Sequence, residues 1–209
     1  MKKYICAILS AGVLTSAVPF TATAAEKMDY EIIGLWCDSG INEYDEFTAD
    51  GEHYCCLTDN IEEYYSFKYG EEDLENSSDQ MSLYTYTAKD GILTNEGIDF
   101  SYTINGKIMT VTYMYDGELM DGGFTLEKVF DFGDVDDDGE INALDASAVL
   151  TEYAASATGG ALELDFIQTK AADVNCDGAV DALDASEILG YYAYKATGGS
   201  GCFAEYYYG

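Results

Sequence analysis

From about residue 26 to 130 the chain alternates apolar and polar positions in short runs broken by turn residues, the period of half-buried antiparallel strands. The pattern predicts strands over 31–36, 44–49, 52–57, 61–69, 81–88, 98–104, 107–115 and 124–130. The clearest pairing is a hairpin about Asn105-Gly106, whose two residues suit the positive φ angles of a type I′ turn; Ile98, Phe100, Tyr102 and Ile104 share one face of its first strand. Asp50-Gly51, Asp90-Gly91 and Asp116-Gly117 mark further turns, and 71–80 reads as a polar loop. About eight strands in so short a stretch, closed so that no edge is left bare, make an all-β antiparallel barrel or sandwich.

Beyond residue 130 the period lengthens to that of a helix. Residues 145–160 align with 184–199 without a gap. Apolar positions at Ala146, Val149, Leu150, Tyr153, Ala154 and Ala157 in the first copy, and Ala185, Ile188, Leu189, Tyr192, Ala193 and Ala196 in the second, predict one helical face each. A Gly-Gly pair stops each helix. Leu162, Leu164, Phe166 and Ile167 predict a short connecting helix over 162–170, while the tail 200–209 carries only the expectation that its aromatics pack back on the helices.

Each helix is preceded by a cluster of oxygen-bearing residues. In the first copy these are Asp134, Asp136, Asp138, the carbonyl of Glu140, Asn142 and Asp145, with Gly139 at the sixth position; in the second, Asp173, Asn175, Asp177, the carbonyl of Ala179, Asp181 and Asp184, with Gly178 at the sixth. This is the ligand spacing of an EF-hand calcium loop, since Ca²⁺ takes six to eight hard oxygens and the turn at position 6 requires a residue without a Cβ penalty. One such run is also what a solvated acidic turn looks like. Two in the same frame, at Asp134 and Asp173, predict two bound Ca²⁺.

Paired loop–helix repeats whose loops end in Asp, at Asp145 and Asp184, resemble a type I dockerin module, the calcium-dependent plug by which secreted proteins of plant polysaccharide degradation dock into cohesin modules of a scaffoldin. The resemblance implies an all-α dockerin over 131–209, built on repeats 133–160 and 172–199. It implies a cohesin as partner and a cell-surface cellulosome as the setting. It also implies cohesin contacts at loop positions 10 and 11, here Ala143, Leu144, Ala182 and Leu183, and on the following helices at Thr151, Glu152, Gly190 and Tyr191. Ala-Leu stands where many clostridial dockerins carry Ser-Thr, so the chain is more similar to the ruminococcal kind; the same dipeptide in both copies implies two near-equivalent docking faces. Gly34-Leu35-Trp36, Phe47-Thr48-Ala49-Asp50-Gly51 and the late Asn-Gly hairpin resemble bacterial lipocalin-like small β-domains. Trp36 is expected there either as a plug at one barrel end or as a ligand contact.

Charge narrows the partners. Lys+Arg 9 against Asp+Glu 40 gives a net charge of −31, which phosphate backbones and anionic membrane surfaces repel; nucleic acid is excluded. Met1-Lys2-Lys3, an apolar run to Phe20 and Ala22-Thr23-Ala24 make residues 1–25 a secretory signal peptide, and no later stretch is long enough to span a bilayer. Secretion leaves Cys37, Cys55, Cys56, Cys176 and Cys202, an odd number; a Cys37 bridge to Cys55 or Cys56 and free thiols are both open. With no CxxC pair and His53 the only histidine, the sequence predicts no zinc site.

For the β module, the tyrosines Tyr64, Tyr65, Tyr69, Tyr84, Tyr86, Tyr102, Tyr113 and Tyr115 are open to two readings: a sugar-stacking surface, or good strand formers whose rings pack. No G-x-S-x-G elbow, Ser/His/Asp set or phosphate-cradling loop appears. Acids are so dense that a carboxylate pair at the roughly 5 to 9.5 Å of a glycoside hydrolase is expected by chance and names no catalytic residue. The sequence thus leads to a docking protein that carries a β module, with carbohydrate binding, or less favoured a small glycoside hydrolase, as the alternative.

Overall fold

The computed structural model describes residues 28–69 and 81–209; the signal peptide and the 71–80 loop expected from sequence lie outside them. The strands β1 (Gly34–Asp38), β2 (Glu43–Phe47), β3 (Glu52–Leu57), β4 (Met81–Lys89), β5 (Ile92–Asn95), β6 (Ile98–Asn105), β7 (Ile108–Tyr115) and β8 (Glu118–Lys128) pair in sequence order as an antiparallel closed barrel. Closure comes from β1 and β8, with Trp36 opposite Lys128 and Cys37 opposite Glu127, so neither strand is left with a bare edge.

Two expectations from the alternating pattern are corrected. The stretch 61–69 is not a strand but helix α1 (Ile61–Tyr69), and a strand the pattern missed, β5, restores the count. The helix was written in the sequence as Asn60-x-x-Glu63: the Asn60 side chain accepts from Glu63 N at 2.9 Å, and the Glu63 carboxylate accepts from Asp59 N at 3.3 Å and from the Thr58 hydroxyl. Its buried residues Tyr64 and Tyr65 face the barrel wall, where Glu46 of β2 accepts from the Tyr64 hydroxyl and from Lys68 Nζ, each at 2.6 Å. Strand β5 escaped notice because it is four residues long, between a turn at Asp90-Gly91 and another at Glu96-Gly97 where all four residues have positive φ.

Strand β8 starts earlier than the pattern suggests. Between Thr112 and Met114 the β7–β8 register slips, and Gly123 passes so close to β7 that a Cβ would sit 2.1 Å from the Val111 carbonyl oxygen. No other residue fits there.

Inward positions of the strands build the apolar core: Trp36, Phe47, Tyr86, Leu93, Met109, Val111 and Leu126 among them. Trp36 is fully buried and its indole N–H donates to the Ile32 carbonyl at 2.7 Å, which ties the barrel to the 3-10 turn Tyr30–Ile32 at its entrance. Burying a side chain of this class contributes about 1.5–3 kcal/mol.

The helical unit comprises α2 (Ala143–Thr158), α3 (Phe166–Ala172), α4 (Ala182–Ala196) and α5 (Phe203–Tyr208). Helices α2 and α4 pack through Ala146, Val149, Ala185 and Ile188. The expected helical faces are corrected: of their positions only Ala146 and Val149, and Ala185 and Ile188, are buried, while Leu150, Tyr153, Ala154 and Ala157 on α2 and Leu189, Tyr192, Ala193 and Ala196 on α4 are exposed. The short connecting helix is α3, opened by a reciprocal cap between Asp165 and Gln168. The tail forms α5, and Phe203, Tyr206 and Tyr207 join Tyr191 and Tyr194 in an aromatic cluster. Barrel and helices share a third core: Leu35, Cys56, Tyr64, Tyr65 and Phe130 meet Ala171, with Phe166 against them.

Candidate functional site

The carboxylate hydrogen bonds of the two acidic loops match position for position. In the first, Asp134 accepts from Asp138 N at 3.0 Å through Oδ1 and from Gly139 N at 3.0 Å through Oδ2; in the second, Asp173 accepts from Asp177 N at 3.1 Å and Gly178 N at 3.0 Å in the same way. Asp136 and Asn175 accept from the residue two positions on, at 3.3 and 2.9 Å, and Asp138 and Asp177 from Glu140 N and Ala179 N, at 2.8 and 2.9 Å. Asp145 and Asp184, both fully buried, close the loops from the far end. Each accepts from the backbone N–H of Val135 or Val174 through Oδ1 and from that of Asn142 or Asp181 through Oδ2.

The chain turns sharply at two points in each loop. Position 4, Asp137 and Cys176, has φ of 58° and 56°, and position 6, Gly139 and Gly178, has φ of 87° and 86°. The left-handed turn at position 6 explains why glycine stands in both copies. Asn142 and Asp181 then cap α2 and α4, accepting from Leu144 N at 2.8 Å and Leu183 N at 2.6 Å. One run of residues thereby gathers carboxylates and starts the helix that follows.

Gathering them has an electrostatic cost. The carboxylates of Asp134, Asp136 and Asp138 lie within 4.8 Å of one another. Burial and neighbouring carboxylates, Asp145 chief among these for Asp134 and Asp136, push both groups above the usual carboxylate range against the backbone N–H bonds that oppose it. Asp173 is pushed up to about 6 by burial and by Asp184 and Asp177, and Asp184 is raised by burial first. Such a cluster is relieved by taking up positive charge, whether as a proton or as a cation.

The residues expected at a partner surface divide. Ala143, Leu144, Thr151, Ala182 and Leu183 are exposed, Leu144 to 66% and Leu183 to 53%, and Gly190 is half-buried against the Tyr206 hydroxyl. Glu152 and Tyr191 lie inside. Glu152 accepts from Glu163 N at 2.9 Å and Leu164 N at 3.3 Å and so fixes the segment leading into α3; the Tyr191 hydroxyl donates to the Gly201 carbonyl. What the outer faces carry instead is a matched apolar set, Leu144, Leu150 and Tyr153 on α2 and Leu183, Leu189 and Tyr192 on α4. Leu150 and Tyr153, like Leu189 and Tyr192, sit three residues apart on one side of their helix, a signal present in the sequence but assigned to the core, whereas Leu144 and Leu183 lie six residues earlier and about 120° round the helix, where the resemblance implied partner contacts.

Residues 132–191 match the family model of the dockerin type I domain. Helices α2 and α3 and most of α4 thus lie in a dockerin domain, a class that generally binds calcium and partners cohesin modules, and it stands behind an eight-stranded antiparallel barrel compatible with a lipocalin-like fold. No curated protein matches the chain. Among the described residues no helix is long and apolar enough to cross a membrane.

No disulfide joins any two of the five described cysteines. Cys37 and Cys56 face outward on β1 and β3 with Tyr44 of β2 in register between them, and Cys55 points to the other side of its strand, so the bridge considered from sequence has no geometry to form in. The strand period also makes a cluster that the sequence reading passed over. Glu43, Asp45, His53 and Cys55 lie two apart on facing strands, Asp45 directly opposite Cys55, and all four turn to the barrel interior.

Proposed function

We propose that the chain is a secreted component of a cellulosome-type assembly, in which two Ca²⁺ organise the dockerin over 131–209 for docking into a scaffoldin cohesin, and the β module over 26–130 is the cargo in plant polysaccharide degradation. The observation that carries this reading is the repeated loop: six oxygen positions per copy, held in the same hydrogen-bond pattern, inside the segment that matches the dockerin family.

In this reading Asp134, Asp136, Asp138, the Glu140 carbonyl, Asn142 and Asp145 hold one ion, and Asp173, Asn175, Asp177, the Ala179 carbonyl, Asp181 and Asp184 the other. Each loop gathers at least three carboxylates whose mutual repulsion opposes folding; a divalent ion reverses the sign of that interaction and fixes the first turn of α2 or α4. The exposed apolar residues Leu144, Leu150 and Tyr153 on α2, and Leu183, Leu189 and Tyr192 on α4, are then set on rigid helices as two similar sets. Calorimetric titration of the full chain with cohesins, in calcium and again in excess EDTA, tests the proposal. Binding in calcium and none in EDTA is the expected result, and binding unaffected by EDTA rejects it.

A further inference from the structure

The barrel holds a second group of metal-competent side chains, chemically unlike the oxygen-only loops. We propose that Glu43, Asp45 and Cys55, steadied by His53, form a site for one borderline-soft divalent ion of the Zn²⁺ type on the inner wall of the barrel.

The argument starts from register. Glu43 and Asp45 alternate inward on β2, His53 and Cys55 on β3, and the pairing of Asp45 with Cys55 sets carboxylate and thiol side by side. The Glu43 and Asp45 carboxylates and the Cys55 sulfur lie mutually within 4.8 Å, with Cys55 Sγ 2.9 Å from Glu43 Oε1. Zinc binds sulfur at about 2.3 Å and carboxylate oxygen at about 2.0–2.2 Å, so small side-chain rotations bring all three donors onto one ion and leave a fourth position for water or a ligand. Asp45 is buried and the other two are half-buried, at the end of β1–β2–β3 farthest from the 3-10 turn.

The surroundings are those of an oriented ligand shell. His53, 6% exposed, is fixed on three sides: its Nε2 lies 2.7 Å from Asp45 Oδ1, its Nδ1 is 3.0 Å from Asn95 Nδ2, and its ring stacks on Phe47 at 4.4 Å. An imidazole that donates to a ligating carboxylate is a recurrent outer partner of metal sites. The buried Asn95 Oδ1 has no hydrogen-bond partner, so this side of the barrel retains polar capacity that the protein itself does not satisfy. Charge points the same way. Two carboxylates gather here, with Asp38 in register beside Glu43, and the imidazole of His53 pairs with Asp45. A mixed sulfur and oxygen donor set favours Zn²⁺, Co²⁺ or Fe²⁺ over Ca²⁺, which takes oxygen alone. On binding, the sulfur–metal bond replaces the S–H bond and the proton leaves to solvent.

The test uses the full chain in excess Ca²⁺, so that the acidic loops are filled. Titration with Zn²⁺ by calorimetry is expected to show one equivalent. Co²⁺ is expected to give thiolate-to-metal charge-transfer absorption that Cys55→Ser abolishes and that Cys37→Ser, Cys176→Ser and Cys202→Ser retain. His53→Gln is expected to keep the absorption while weakening affinity about 10- to 100-fold, the range for loss of an outer partner. Should Cys55→Ser lose its native circular dichroism, Glu43→Gln replaces it, with the same loss of affinity expected. Absence of Zn²⁺ uptake in excess Ca²⁺, or charge transfer that persists in Cys55→Ser, overturns the proposal. Neither result bears on cohesin docking.

Discussion

The Tyr191 hydroxyl donates to the Gly201 carbonyl at 3.1 Å, so the helix that follows the second acidic loop is bonded directly to the carboxy-terminal tail. Phe203 continues the contact, with its ring 5.3 Å from that of Tyr191 in a near-perpendicular pair. The tail is therefore part of the helical core. Truncating Phe203 to Ala removes a ring that is 6% exposed and is expected to cost about 3 kcal/mol, read as a lower urea midpoint of the calcium-saturated protein followed by circular dichroism. An unchanged midpoint would show that α5 adds nothing to the core.

Calcium removal is expected to lower stability and helical signal together. In the proposed reading the ion binds the folded loop and not the unfolded chain, so at one hundred times its dissociation constant it would add about 2.7 kcal/mol for each site. Asp184→Asn keeps the shape of the side chain that accepts from Val174 N at 3.0 Å but removes its charge. It should reduce calcium uptake from two equivalents to one by calorimetry, and Asp145→Asn should do the same in the first loop.

The two exposed apolar sets are matched residue for residue, which leads to a specific docking result. Leu144→Asp alone and Leu183→Asp alone are each expected to leave cohesin affinity within a few-fold, and the double substitution to abolish binding in a pull-down. A large loss from either single substitution would show that one face does all the docking.

Alkaline pH should destabilise the barrel. Burial pushes the thiol of Cys56 from 9.0 up to about 11, and it raises the phenols of Tyr54, Tyr86 and Tyr102 well above their ordinary value of 10.0. Groups raised in the folded state stay protonated there while the unfolded chain releases its protons, so their stabilising contribution is full below about pH 9 and is lost as pH climbs through the folded values. Near-ultraviolet circular dichroism of the tyrosines, recorded from pH 8 to 12, should show a cooperative loss beginning above pH 9. A flat signal through pH 11 would contradict it.

Much of this was open to sequence reading where chemistry is local. Every donor and acceptor of an acidic loop lies within twelve consecutive residues, so spacing alone names the oxygens, the glycine and the helix cap. Strand alternation and turn dipeptides likewise gave most of the barrel. The pattern failed at 61–69 because apolar residues at 61, 64, 65 and 67 fit both periods over so short a run, and only the Asn60–Glu63 cap separates them.

Other features depend on partners far apart in the chain. Whether Leu150 and Tyr153 face the core or the outside depends on where α4 packs against α2, since both sides of α2 are apolar. Glu152 is buried because the segment at Glu163 returns to offer it two N–H groups. Glu43, Asp45, His53 and Cys55 converge only once β2 and β3 take the register that sets Asp45 opposite Cys55 and the barrel closes around them. The sequence determined the loops because their oxygen-bearing residues are neighbours along the chain; the inner-wall cluster and the exposure of Leu150 and Tyr153 were decided by register and packing, which local spacing does not encode.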